Sequence, residues 1–217
     1  MKRPVKKIII MLLIAGICTG LHAQTAWELK KDQDGIKVYS GSIPNSNIKA
    51  IKVTCILNAT LTQLTALLVD VKAHEQWVFH SKTSYIVKQL SPDHIIAYSE
   101  ISMPWPLTNR DVVTEMNISQ QPATKVMSIS IIAVKGNVAV SKDKVRVPMS
   151  KVNWTVTPLS NNQLSVEYVA QADPGGDIPA WVVNSFSTKG PFETFLKLKE
   201  LVSSSAYQNA QFAFVKN

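Results

Sequence analysis

Residues 48–57 alternate, with Ile51, Val53, Cys55 and Leu57 on one side and Lys52 and Thr54 on the other; a period of two predicts a half-buried strand. The same signal returns after Ser81 in a series of segments: 83–90, 94–102, 111–119, 125–134, 137–147, 151–158 and 163–171. Turn chemistry separates them, as in Ser91-Pro92-Asp93, Gln121-Pro122, Lys135-Gly136-Asn137 and Ser160-Asn161-Asn162. Connections this short predict antiparallel neighbours, because a parallel crossover needs about a dozen residues or more.

Helical patterns frame these strands. A short helix is expected around Thr25–Lys31, carrying Trp27, before Asp32-Gln33-Asp34-Gly35 turns the chain into a strand at Ile36–Ser42. Pro44-Asn45-Ser46-Asn47 reads as another turn. Thr60 or Asn58 is placed to cap a helix from Leu61 to about Val69, and a second helical stretch covers Val71–Val78. Asp173-Pro174-Gly175-Gly176-Asp177 is a hard stop, after which Asp177 suits an N-cap and Pro179 a first helical turn. From Ile178 the apolar residues Trp181, Val182, Phe186, Phe192, Phe195, Leu196 and Val202 recur at helical spacing. Gly190-Pro191 interrupts that helix, since proline removes a backbone hydrogen bond. The fold class is α+β: a large antiparallel sheet with one apolar face, and a C-terminal helix as the only element long enough to cover it.

The first 23 residues change how the composition is read. Lys2, Arg3, Lys6 and Lys7 precede the apolar run Ile8–Ile17, and Leu21-His22-Ala23 ends on a small residue; this is the order of a secretory signal peptide cleaved after Ala23. The apolar run is short of the roughly 20 residues that span a bilayer. Residues 24–210 then form one domain, with 211–217 as a tail. The whole chain of 217 residues has a formal charge of +8, and removing residues 1–23 takes away four basic residues and no acids, leaving +4. That mild charge, spread along the chain, excludes a stripe for binding nucleic acid. With 46% hydrophobic and 18% charged residues the chain is globular, and Cys18 and Cys55 supply no disulfide framework. Cys55 reads as a small buried hydrophobe.

Little in the chain points to catalysis. His74 and His80 are six apart, unlike the i, i+4 pair of a helical metal site, and with His94 they read as surface or internally satisfied histidines. There is no Gly-x-Ser-x-Gly elbow, phosphate loop or cysteine–histidine signature. Asp173 and Asp177 read as turn and cap residues. Arg110 shares strand parity with Val112, Thr114, Met116 and Ile118, whereas Asp111 points away with Val113 and Glu115. Two roles stay open for Arg110: a structural brace on carbonyls of the Pro104–Leu107 turn, or an anchor for an anionic ligand group.

Four segments stand in order along the chain: Gly35-Ile36-Lys37-Val38-Tyr39; Val69-Asp70 with Trp77; Pro104-Trp105-Pro106-Leu107-Thr108-Asn109-Arg110-Asp111; and Asp173-Pro174-Gly175-Gly176-Asp177-Ile178-Pro179. Together they resemble the START family of lipid-transfer domains. The similarity spans residues 25–203. It implies a helix-grip fold, a bent sheet around the C-terminal helix with an internal hydrophobic tunnel. It also implies binding and transfer of one lipid or other hydrophobic small molecule, without catalysis and without a cofactor or metal. Tunnel contacts are then expected from Tyr98, Trp105, Arg110, Met116, Trp154, Tyr168, Trp181, Phe186 and Phe192. Sterol-type members carry a buried arginine six residues after the "RD" arginine, paired with an acid. Here those positions hold Met116 and a site near Ala97, so that anchoring is not expected.

The expected protein is therefore an exported monomer, periplasmic or secreted, that touches membrane surfaces transiently and binds no nucleic acid. Its gate is expected at Trp181–Phe195 with the adjoining Pro104–Asn109 turn, where Gly190-Pro191 breaks the helix. The rival classes are an enzyme, cyclase- or hydrolase-like, on the same helix-grip scaffold, and an envelope interaction module with a vestigial cavity.

Overall fold

The computed structural model describes residues 27–42, 49–179, 182–183 and 185–217. The signal-peptide assignment and the turn at 44–47 lie outside the described residues, as does Trp181. Among the described residues no helix is long and apolar enough to cross a membrane.

The first hairpin replaces an expected helix. β1 (Trp27–Gln33) pairs antiparallel with β2 (Ile36–Gly41), with Gln33 opposite Ile36. The turn between them is Asp34-Gly35, both at positive φ (54° and 70°), the two-residue geometry whose twist matches that of paired strands. Strand pairing wins because a seven-residue helix is marginal on its own, while the hairpin satisfies the free edge of β2. β3 (Ala50–Asn58) follows β2 in register and buries Val53, Cys55 and Leu57, the alternation read from the sequence. α1 (Leu61–Val69) opens on a capping box: Gln63 N–H donates to Thr60 Oγ1 (3.3 Å), and Thr60 N–H donates to Gln63 Oε1 (2.8 Å). A 3-10 turn (Val71–Ala73) and the single turn α2 (His74–Trp77) complete the second helical stretch.

The remaining strands are β4 (Ser81–Ser91), β5 (His94–Ile101), β6 (Arg110–Gln120), β7 (Met127–Ala133), β8 (Val145–Arg146), β9 (Met149–Leu159) and β10 (Gln163–Asp173). Together with the first three they form a ten-stranded sheet ordered β1-β2-β3-β10-β9-β7-β6-β5-β4, with β8 beside β6. The main path is antiparallel throughout.

Segment 137–147 does not form the expected full strand. β7 stops with Ala133 opposite Thr114, leaving the start of β6 unpaired on the edge away from β5. Only Val145–Arg146 fills the gap, and it runs parallel to β6: Val145 N–H donates to Asn109 O (3.0 Å) and Val147 N–H to Asp111 O (2.9 Å). Residues 134–144 form an excursion because no strand position is left for them.

At the C-terminus Val182 and Val183 N–H both reach Pro179 O, a widened π-type turn covers Ser185–Lys189, and α3 runs Gly190–Leu201. The break at Gly190-Pro191 is therefore real: the wide turn hands over to α3 where the proline has no N–H to offer. Gly190 is required there by space, since a Cβ would lie 2.9 Å from the Phe79 ring. Phe192, Phe195, Leu198 and Val202 bury into the main core with Val38, Leu57, Trp154 and Met116. α3 meets β2 and β3 on one side and α2, itself packed on β4, on the other. Both ends of the sheet thus come round to the same helix, as a bent sheet requires. The C-terminal tail, 211–217, packs on this fold: Val215 is buried, Phe212 and Phe214 pack on the core, and Lys216 N–H donates to Gln120 Oε1 (2.8 Å).

Candidate functional site

Strand parity assigns each residue to the helix-covered face or to the outer face, and burial along the covered face is graded. At the end near α1, Leu57, Leu164, Val156, Met127 and Ile118 are all at most 2% exposed. Four to six residues away along the same strands, Ile51, Tyr168, Ala170, Val152 and Ile131 keep partial accessibility although they face inward. Ser150, Ala133, Thr114 and Ser99 continue this accessible zone toward Arg110. Tyr168 makes the point most sharply. It packs against Trp154 and Phe195 and burial pushes its phenol up to about 12, yet its side chain is not fully covered.

The floor of this zone is aromatic. Trp154, Tyr168 and Phe195 meet with ring centroids 5.0–5.3 Å apart, and Met116 lies in the same core at 4% exposure. From Arg110 to Met116, six residues of β6 span about 20 Å. One leaflet of a bilayer's hydrocarbon core is about 15 Å deep, so the covered face is long enough for a lipid chain.

Arg110 and Asp111 organise the mouth, and they do so on opposite faces. Arg110, 4% exposed, donates from Nη1 to Thr108 O (2.5 Å) and from Nη2 to Gly175 O (3.2 Å). It braces backbone carbonyls, but those of Thr108 and Gly175 instead of the expected ones of the Pro104–Leu107 turn, and so ties the 103–109 loop to the Asp173–Gly176 turn. Asp111, 1% exposed, receives two bonds from Arg146, at 2.7 and 2.9 Å, and Arg146 in turn donates to Val138 O and Ala139 O. Those bonds hold the Asp111 carboxyl below its usual range against the opposing effect of burial. Beside it, burial would raise the Glu100 carboxyl, but Lys82, Asn109 and Lys144 outweigh it and keep the group below its ordinary value. Two adjacent residues thus fasten three loops. Arg110→Ala removes two charge-assisted bonds and is expected to cost about 1–3 kcal/mol, measurable by thermal melts.

Among the described residues, the buried side-chain donors without a partner are Arg110 Nε, Trp77 Nε1 and Trp154 Nε1. None has accessible surface, so a guest reaches them only when neighbouring side chains move. Opposite the brace, Phe186 stacks edge-on against Phe79 (5.3 Å) and His80 (5.5 Å), and His80 Nδ1 bonds to Ser102 O (3.0 Å). This cluster joins the 182–190 segment to the start of β4.

The structure separates the other expected contacts. Tyr98 lies on the outer face, packed with Ile96 and Val113 and stacked on Tyr85 at 4.9 Å. Burial, then the charges of Asp111 and Glu100, push its phenol up to about 12. Its assignment to the tunnel is therefore corrected; four consecutive buried residues, Ile95–Tyr98, hide the alternation because the 134–144 excursion covers the outer face there. Trp105 is 91% exposed at the tip of the 103–109 loop, next to a cis bond to Pro106, and lines no interior. Phe192 is buried, but toward the sheet's β1 edge, with the Lys31 ammonium 3.6 Å from its ring. Sequence reasoning missed Thr114, Ala133, Val152 and Ala170; strand parity marked their face but not their exposure. His74 is internally satisfied, with Nε2–H donating to Leu68 O (2.9 Å), and burial lowers its pKa. Among the described residues no group of three or more His, Cys, Asp or Glu is placed to hold a metal ion.

A bent antiparallel sheet gripping a C-terminal helix defines the helix-grip class. Residues 19–206 match the START domain model, and the chain belongs to that family. An uncharacterized protein of Pseudomonas aeruginosa is 33% identical over 173 residues, covering 80% of this chain and 85% of its own. The mouse phosphatidylcholine transfer protein is 26% identical over 177 residues, covering 79% and 80%. The crystal structure of a STAR-related lipid transfer protein fragment from Xanthomonas axonopodis superposes with a TM-score of 0.75 at 29% identity, covering 82% of this chain and 99% of that one.

Proposed function

We propose that this protein binds one lipid, or a comparable hydrophobic small molecule, between the sheet and α3, and carries it without chemical change. The accessible inner row around Tyr168 carries the reading, and relatives named as lipid transfer proteins support it. The driving force is partitioning: each CH₂ moved from bilayer to water costs about 0.8 kcal/mol, and a dry interior removes most of that cost.

The mouth lies among the 103–109 loop, the Asp173–Gly176 turn and the 182–190 segment. Opening requires the Phe79–Phe186 contact to part and Arg110 to release one of its two carbonyls. Trp105, held out at 91% exposure, suits transient insertion at a membrane–water interface, where tryptophan is favoured. The chain acts as an exported monomer, periplasmic or secreted, with residues 1–23 as the leader; N-terminal sequencing of the exported protein tests that part.

Solvent extraction of purified protein followed by mass spectrometry identifies the cargo. Ala170→Trp provides the paired test, because Ala170 is the small residue in the accessible row beside Val152 and Ile51. The variant is expected to fold, at an overpacking cost of about 1–3 kcal/mol, and to carry no lipid. A folded Ala170→Trp protein with a full complement of lipid places the cargo elsewhere and defeats the proposal.

A further inference from the structure

The mouth carries a second exposed apolar tip, on the excursion between β7 and β8. That loop leaves the sheet where Val134 N–H donates to Val113 O (2.9 Å) and rejoins it where Val145 N–H donates to Asn109 O (3.0 Å). Arg146, itself locked on Asp111, pins the middle through Val138 O and Ala139 O, both at 3.2 Å. Val138 also packs onto the outer cluster of Ile96, Tyr98 and Val113. Beyond the pin, Val140 stands 68% exposed; among the described large hydrophobic residues only Trp105 is more so, at 91%.

Two exposed cations flank it. Lys135 and Lys142 are exposed and have no ion-pair partner among the described residues, although the exposed Asp143 follows Lys142, whereas Lys144 lies 3.6 Å from Glu100, a carboxylate it shares with Lys82. Val140 and Trp105 therefore sit on separate loops rooted in the adjacent residues Asp111 and Arg110, at the end where the interior opens. A rigidly held aliphatic tip between free lysines matches a surface that is greasy below and anionic above. The tip is far too small for a stable protein interface, which buries about 800 Å² on each partner.

We propose that the Val134–Lys144 loop is a second foot that seats the mouth on an anionic bilayer, with Val140 entering the headgroup layer and Lys135 and Lys142 meeting lipid phosphates. The proposal rests on the reading of the interior as a lipid site, and gives it a preferred donor or acceptor surface. A basic residue near an anionic membrane adds attraction that ordinary salt screens.

Flotation with phosphatidylcholine vesicles, with and without phosphatidylglycerol, tests the foot. Wild type is expected to float with the anionic vesicles and to be released by salt. Lys135→Glu/Lys142→Glu is expected to lower that partition about tenfold or more, and Val140→Asp to lower it independently. All three proteins should show the same bound-lipid content by native mass spectrometry, since the substituted side chains are exposed. The foot is overturned if the double variant floats as wild type does, if wild type prefers neutral vesicles, or if it ignores vesicles of both kinds, which would leave the loop to a protein partner. The interior reading fails separately, through a wild-type protein that carries no lipid however it floats.

Discussion

With Phe195 replaced by alanine, the lipid-free protein is expected to lose about 3–5 kcal/mol of stability. Phe195 is 1% exposed, and its ring meets both Trp154 and Tyr168, so truncation removes the part of α3 that holds the floor of the interior together. At roughly 2–4 °C per kcal/mol for a domain of this size, the melting temperature should fall by about 10 °C. Delipidated protein is needed, because a bound lipid stabilises the native state by mass action and hides part of the loss. Phe195→Leu, which refills most of the volume, should recover most of the drop. A melt within about 2 °C of wild type for the alanine variant would show that the ring is not part of the packed floor.

Arg146→Met is expected to cost about as much, 3–5 kcal/mol as an order of magnitude, for an electrostatic reason. It strands the Asp111 carboxylate, 1% exposed, without the two bonds that hold its charge. In wild type the lowered carboxyl contributes stability that is present above the ordinary carboxylate range, about 3.9, and is lost as pH falls through its depressed folded value. In the variant only the Tyr98 hydroxyl and the Lys144 charge still oppose burial, so the group rises relative to wild type, and its penalty is greatest near neutral pH and fades on acidification as the carboxyl protonates. The gap between variant and wild type in urea titrations should therefore narrow as pH is lowered. Adding Asp111→Asn should recover much of the loss at neutral pH. A gap independent of pH would mean that Arg146 acts through its packing or its loop carbonyls alone.

Where one physical signal dominated, the sequence was legible. The alternation of Ile51, Val53, Cys55 and Leu57 reported a strand with one buried face, and Thr60 announced the start of α1. The placement of Gly190-Pro191 marked the handover from the wide turn to α3. Legibility failed where tertiary partners decided the outcome. Trp27–Gln33 is polar enough for a surface helix, and only the twist set by Asp34-Gly35 makes it a strand. The valines at 138, 140, 145 and 147 alternate like a strand, yet the sheet has room for two residues of that segment. For the site, the inward face of β6 was readable from Arg110 to Ile118, and Met116, Trp154 and Tyr168 fall on that covered face as expected. Which aromatics fill space and which border it was not readable, because that depends on where α3 leaves the sheet uncovered. Tyr98 shows the cost: parity alone cannot rank two faces when both are buried.

The pairing of β3 with β10 joins Asn58 to Gln163 across more than a hundred residues of chain. Synthesis delivers β1 to β3 long before their partner exists, so the early hairpin waits with a bare edge and with Val53, Cys55 and Leu57 unshielded. Such distant closure is slow, since the loop must be brought together before any contact rewards it. During that wait the open edge invites strand exchange with other chains. The last strand is thus the clasp of the whole barrel-like wrap, and chains ending short of residue 163 would leave the ribosome as aggregation-prone halves rather than as smaller domains.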